Sequence, residues 1–244
     1  MRKFNILLKG ELQRLIKYKI LPVSIFVALI WFLFLIFIEN DEIFIAFLPM
    51  IIILDTTLMS ILYTGATLFY EKSESTASTL LVTPTTHKSL ILSKAFAGVI
   101  QTIFSTGLII LAFYLIKHIE IHLLSLFIVL IFSSLFHIFL GFIMTYITKD
   151  FTGLLVIAMI YSILLMIPTI LNQIDILFKG DIWSYVLLLT PTKASIVVAN
   201  VAFGMAIDAQ YYISVFYLIV GSYLLFQFIV LPHFKSYVLK QGGI

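Results

Sequence analysis

A carboxylate in the middle of an apolar run is the first group in this sequence that could do chemistry. Asp55 lies near the centre of residues 43–69, with Thr56, Ser60, Tyr63 and Thr67 forming a polar stripe beside it at helical spacing. An ionised side chain is costly in hydrocarbon and faces protein or water there. Two readings stay open: a contribution to a polar path or a cationic ligand site, and a packing role through a hydrogen bond to a neighbouring helix. A second such face carries Ser134, His137, Gly141, Thr145 and Thr148, each three or four residues from the next. Small and polar residues at this spacing mark close helix packing, and His137 is the member that could also move a proton. Gly98, Gln101, Thr102 and Ser105 form a third, shorter face of the same kind, and Gln227 is an isolated amide.

Several chemistries have no motif here. There is no G-x-x-x-x-G-K-[ST] phosphate loop, so the chain has no nucleotide cradle of that type. There is no H-E-x-x-H and no G-x-S-x-G. The five histidines are dispersed, and only His118 and His122 share i, i+4 spacing, which fits solvated loop histidines better than a metal site. With no cysteine in the chain, disulfides and thiolate metal sites are excluded.

The elements that hold these residues follow from composition. A chain of 244 residues that is 62% hydrophobic and 11% charged has too little charge to coat a soluble globule, so much of its solvent is lipid. Six apolar stretches are long enough to cross about 30 Å of hydrocarbon as helices: 20–38, 43–69, 95–116, 123–148, 154–171 and 213–231. The first follows a charged segment and no small-residue cleavage pattern follows it, so it reads as a retained span rather than a signal peptide.

Orientation comes from the basic residues. With the amino terminus inside, the cytoplasmic segments hold Arg2, Lys3, Lys9, Arg14, Lys17, Lys19, Lys72, Lys88, Lys94, Lys149, Lys235 and Lys240 out of 15 Lys and Arg. Only Lys117, Lys179 and Lys193 fall outside, which fits the positive-inside rule and places both termini in the cytoplasm. The expectation is a multi-pass protein of a cell membrane, of the bacterial cytoplasmic membrane type. Its basic residues are explained by the lipid surface, so no nucleic-acid partner is expected.

Three segments lie outside the spans. Residues 1–19 place Phe4, Leu7, Leu8, Leu12, Leu15 and Ile16 on one side and Lys3, Lys9, Gln13, Arg14 and Lys17 largely on the other, the pattern of an interfacial amphipathic helix. It reads as a topology anchor or as a mechanical lever beside the first span. Residues 172–212 contain two apolar runs parted by Pro191 and are long for a structureless loop. At roughly 9 to 10 residues each these runs are too short to span, so two short helices dipping back into the outer leaflet are expected. Residues 70–94 form an ordered cytoplasmic connection. A short helix around Leu80-Leu81-Val82 should stop at Thr83, because the residue before Pro84 avoids the α conformation. A second helix should start at Thr85 or Thr86.

This connection resembles the type-2 ABC transporter permeases (the ABC-2 membrane family), in which a glutamate pair and a Gly-Thr precede Leu-Leu-x-Thr-Pro and a later lysine. Glu71, Lys72, Thr76, Leu80, Leu81, Val82, Thr83, Pro84 and Lys94 match, with Ser75 at the usual glycine and Ala77 at the usual leucine. The resemblance implies one all-α transmembrane domain over 1–244, with six transmembrane helices, a cytoplasmic coupling helix and extracellular re-entrant helices between spans five and six. It implies that Glu71, Lys72, Glu74, Thr76, Leu80, Leu81, Thr83 and Pro84 couple to a separate ATPase subunit that holds ATP and Mg, with no cofactor in this chain. A second permease copy or homologous partner would complete a path for an amphiphilic substrate: a drug, an antimicrobial or toxin peptide, or a lipid-linked molecule. Asp55, Thr56, Ser60, Tyr63 and His137 are its path candidates, and export is the implied direction. The rivals are an ATPase-independent carrier using Asp55 and His137 as a proton relay, and a membrane immunity or sensor protein.

Overall fold

The computed structural model describes residues 2–38, 41–74, 85–117 and 121–241, and all regular structure among them is helical. In chain order the helices are α1 (Arg2–Lys17), α2 (Ile20–Ile36), α3 (Asp41–Ser73), α4 (His87–Lys117) and α5 (Leu123–Ile147). Then come α6 (Phe151–Gln173), α7 (Asp181–Leu187), α8 (Pro191–Ala202), α9 (Ala209–Leu224), a π-helical turn (Leu225–Val230) and α10 (Leu231–Gln241). Five stretches are long and apolar enough to cross a membrane: Ile45–Ser73, His87–Leu115, Leu123–Ile147, Phe151–Gln173 and Ala209–Leu239. The first expected span is shorter than the sequence suggested. At 17 residues, α2 lies at the short end of spanning length, and it is bent by 59° from α1. The bend sits at Lys19, whose left-handed φ of 57° ends α1 and starts a new direction.

Two other helices extend beyond their expected ends. α3 continues four residues past 69 and α4 begins eight residues before 95, because Glu71 and Lys94 find partners rather than forcing the helices to stop. α4 opens with Thr86, whose hydroxyl accepts from Ser89 N at 3.2 Å.

The centre is built on α3. Thr57 meets His137, Ile61 meets Gly141 and Gly65 meets Thr145, a constant offset of 80 residues that makes α3 and α5 parallel neighbours. Against α4 the positions run the other way: Asp55 pairs with Ser105, Ser60 with Thr102 and Tyr63 with Gly98, so α3 and α4 are antiparallel. α9 and the π turn pack on α5, through Phe136 on Tyr217 and Phe139 on Phe226. The π turn lies just before Pro232, which cannot donate a backbone hydrogen bond to the turn that precedes it.

Between Gln173 and Ala209, α7 and α8 meet at 110°. Pro191 is not the break itself but the first residue of α8, with Thr190 accepting from Lys193 N as its N-cap. Nearly every residue of α8 is buried, against α3, α5, α6 and α9. At 12 residues it is about 18 Å long, shorter than the hydrocarbon layer.

Large apolar side chains cover the outside. Phe26, Leu29, Leu33 and Phe34 on α2, Met159, Ile163 and Leu164 on α6, and Phe216 and Tyr223 on α9 are all exposed. A surface of that kind is at home in lipid and not in water.

Gly141 sets the approach of α3 to α5. A Cβ there would lie 3.1 Å from Ile61 Cα and 3.2 Å from Ile61 O, both backbone atoms that cannot swing aside. Gly141→Leu is therefore expected to lower stability by about 1 to 3 kcal/mol, the usual cost of overpacking. Gly107→Leu, where a Cβ meets nothing within 4 Å, should leave the midpoint of thermal unfolding in detergent unchanged. Equal midpoints for the two variants would remove Gly141 from this role.

Candidate functional site: a buried charge network joining α1, α3 and α4

Four charged side chains converge where the amphipathic helix crosses the ends of two long helices. Glu11 and Arg14 come from α1, one turn apart, and pair at 2.7 Å. Glu71 comes from the last turn of α3 and Lys94 from the third turn of α4. Lys94 Nζ lies 3.0 Å from Glu11 Oε1 and also pairs with Glu71, which in turn pairs with Arg14. Glu11, Glu71 and Lys94 are 4%, 2% and 1% exposed, so the network is interior.

Two carboxylates and two cations make the set neutral, which is the condition under which charge can be buried at all. Burial opposes the charge on Arg14, but Glu11 and Glu71 more than offset it and hold its guanidinium above its ordinary value. Tyr63 donates to the Lys94 carbonyl at 3.2 Å, and Leu15, Tyr63 and Ala97 pack as a dry floor below.

A second, exposed tie lies beside it. Lys17 Nζ is 2.7 Å from Glu74, Tyr18 donates to Glu74 at 3.2 Å, and the Tyr18 and Tyr70 rings stack at 4.5 Å. The hydrogen bond to Lys17 holds the Glu74 carboxyl below its usual range, while partial burial and the Glu74 carboxylate push Tyr18 up to about 12. Because the Glu74 value is depressed in the folded chain, this tie is fully present above the ordinary carboxylate range and is lost as pH falls through the lowered value below that range. Lys72 turns elsewhere, donating to Lys149 O at 3.3 Å. Thr76, Leu80, Leu81, Thr83 and Pro84, with the expected short helix, lie outside the described residues.

The apolar side of α1 is divided: Leu8, Leu12 and Leu15 pack inward with the buried Glu11 among them, while Ile16 is 67% exposed. Glu11 was missed by reading charge as outward; its place inside the apolar repeat of α1, three residues from Arg14, was the available signal.

The polar residues of the spans form lateral links across the bundle. Ser105 donates to Asp55 Oδ2 at 3.0 Å, Ser60 and Thr102 share a hydrogen bond of 3.2 Å, and Gln101 donates to Ser24 at 2.8 Å. His137 Nδ1 donates to Ser133 O at 2.8 Å, its Nε2 is 3.4 Å from Thr57 Oγ1, and Ser195 of α8 donates to Ser133 at 2.8 Å. Asp55, Thr56, Ser60, Tyr63 and His137 are all buried among helices. Among the described residues Asp55 Oδ1 and Thr56 Oγ1 have no hydrogen-bond partner. Thr57, Ser133 and Ser195 were not singled out from sequence; short hydroxyls are too common in apolar helices to stand out before their partners are known. His118, half of the one histidine pair, lies outside the described residues.

Removing one member of the neutral set should leave a charge stranded. Lys94→Met is expected to cost about 3 to 5 kcal/mol, the range for breaking a buried ion pair. Adding Glu71→Gln restores neutrality and should recover a large share of that loss in a double-mutant cycle of thermal stability. Additive losses would show that the two side chains do not act as one unit.

No family model matches this chain and no curated protein sequence matches it, so the functional reading rests on the charge network and the segment it flanks.

Proposed function

We propose that this chain is the membrane-spanning subunit of an ATP-driven exporter of the ABC-2 type, with ATP and Mg bound by a separate ATPase. The observation that carries the reading is the buried network of Glu11, Arg14, Glu71 and Lys94. It clamps α1 to the two helix ends from which residues 75–84 emerge, and those residues carry the permease-like Leu-Leu-Val-Thr-Pro run. A push delivered to that run would reach α3 and α4 through a fixed joint instead of dissipating in a loose loop.

In this reading six helices span, α7 and α8 form the re-entrant element on the outer side, and both termini are cytoplasmic. A second permease copy completes the pathway. The seam of Asp55, Thr56, Ser60, Tyr63 and His137 lies along α3 and its neighbours, where relative movement of α3 and α4 would expose polar surface to an amphiphilic substrate. The rival carrier draws on the same seam, since Asp55 Oδ1 has no partner among the described residues.

Tagged protein from its native host should bring down an ATPase subunit; its reproducible absence would sink the exporter reading. Lys17→Glu and Glu74→Lys should each reduce ATP-driven export by about two- to fivefold, the modest effect of an exposed pair, and the double swap should restore it. Asp55→Asn separates the rivals: ATP-driven flux that survives it excludes an obligatory proton relay, whereas loss of a proton-coupled flux would favour the carrier.

A further inference from the structure

A cavity of about 680 Å³ opens where α3, α5 and α10 end on the same side of the bundle. Its polar rim is formed by Lys72, Lys149, His233 and Ser236. Its wall is formed by Ile143, Ile147 and Ile229 with the rings of Tyr146 and Tyr237, which lie 4.7 Å apart. Tyr146 also donates to Val230 O at 3.2 Å, tying the wall to the π turn. Asp150, next to Lys149, is turned to cap α6 through Gly153 N at 2.7 Å, and Glu71, next to Lys72, is held by Arg14 and Lys94; neither is part of the lining. His233 Nδ1 donates to Ile229 O at 2.8 Å, which fixes the ring and leaves Nε2 as its other polar atom.

We propose that this cavity binds the phosphate headgroup of an anionic phospholipid. Two lysines on one rim supply the charge and the donors that a phosphate needs, with the His233 ring beside them. A free phosphate would have no use for the rest of the site. Ile147 and Ile229 of the lining are 69% and 38% exposed, and Phe228, next to Ile229 in the π turn, is 66% exposed, which offers apolar surface for acyl chains beside the headgroup site. The positive-inside distribution places this rim at the cytoplasmic leaflet, where basic pockets between spans meet anionic headgroups. The inference depends on the chain being in a membrane and not on the exporter reading, because lipid retention is read without any ATPase.

The test uses the full chain, purified from membranes and returned to nanodiscs of phosphatidylcholine with or without cardiolipin or phosphatidylglycerol, and native mass spectrometry to count retained lipid. The protein should keep an anionic phospholipid in preference to phosphatidylcholine. Lys72→Gln and Lys149→Gln, both at exposed positions that the fold tolerates, should each weaken retention by about fivefold, the effect of one basic residue near an anionic surface. Lys235→Gln, exposed on α10 but outside the lining, should leave retention unchanged. An equal loss with Lys235→Gln would make the effect diffuse surface attraction and overturn the site. Displacement by millimolar inorganic phosphate without any preference for lipid would make it a free-phosphate site, and absence of retained anionic lipid would overturn it outright.

Discussion

The cost of burying charge governs the end of the molecule at which α1, α3 and α4 meet. Glu71 and Lys94 sit on helices that would otherwise have to end at the hydrocarbon boundary, and neither can be interior alone. α1 supplies the missing pair: Arg14 answers Glu71, and Glu11 answers Lys94. An amphipathic helix that only floated in the headgroup layer would have no need of a glutamate on its inward face. Its position is instead set by four charges that are neutral only together, and helices of a bilayer protein are thereby extended beyond their apolar lengths.

The interior of the bundle relies on a different economy. Lipid tails are as apolar as leucine, so helices gain little from hydrophobic burial against one another and associate through close packing and hydrogen bonds. Gly141 permits the approach of α3 and α5, and hydroxyls, an amide and an imidazole link α2, α4, α3, α5 and α8 in turn. The same links that hold the bundle place polar groups deep inside it. Under the proposed permease reading, this polar seam along the central helix would serve both cohesion and passage.

Much of the architecture was legible in residue order. The long apolar runs locate α3 to α6 and α9, and the amphipathic repeat locates α1, because period and length are local properties. The short pair around Pro191 was also legible, although Pro191 opens α8 instead of separating the two helices. Of the candidate residues, Glu71 and Glu74 were reached through a motif, but their partners on α1 were not, since a contact across 57 residues leaves no spacing to read. The polar stripe of α3 was visible, whereas Thr57, which meets His137, was indistinguishable from its neighbours until α5 was in place.

The sequence by itself determined that the chain is helical and belongs in a bilayer, because hydrophobic length and total charge settle the solvent before any fold exists. It also set the distribution of basic residues. Only the tertiary structure decided that Lys19 bends α1 away from α2, that α8 is buried instead of lying on the surface, and that Glu11 faces inward. Those outcomes depend on which charge and which small residue each helix finds opposite it, and pairings across the bundle are a property of three-dimensional packing that no periodicity along one helix contains.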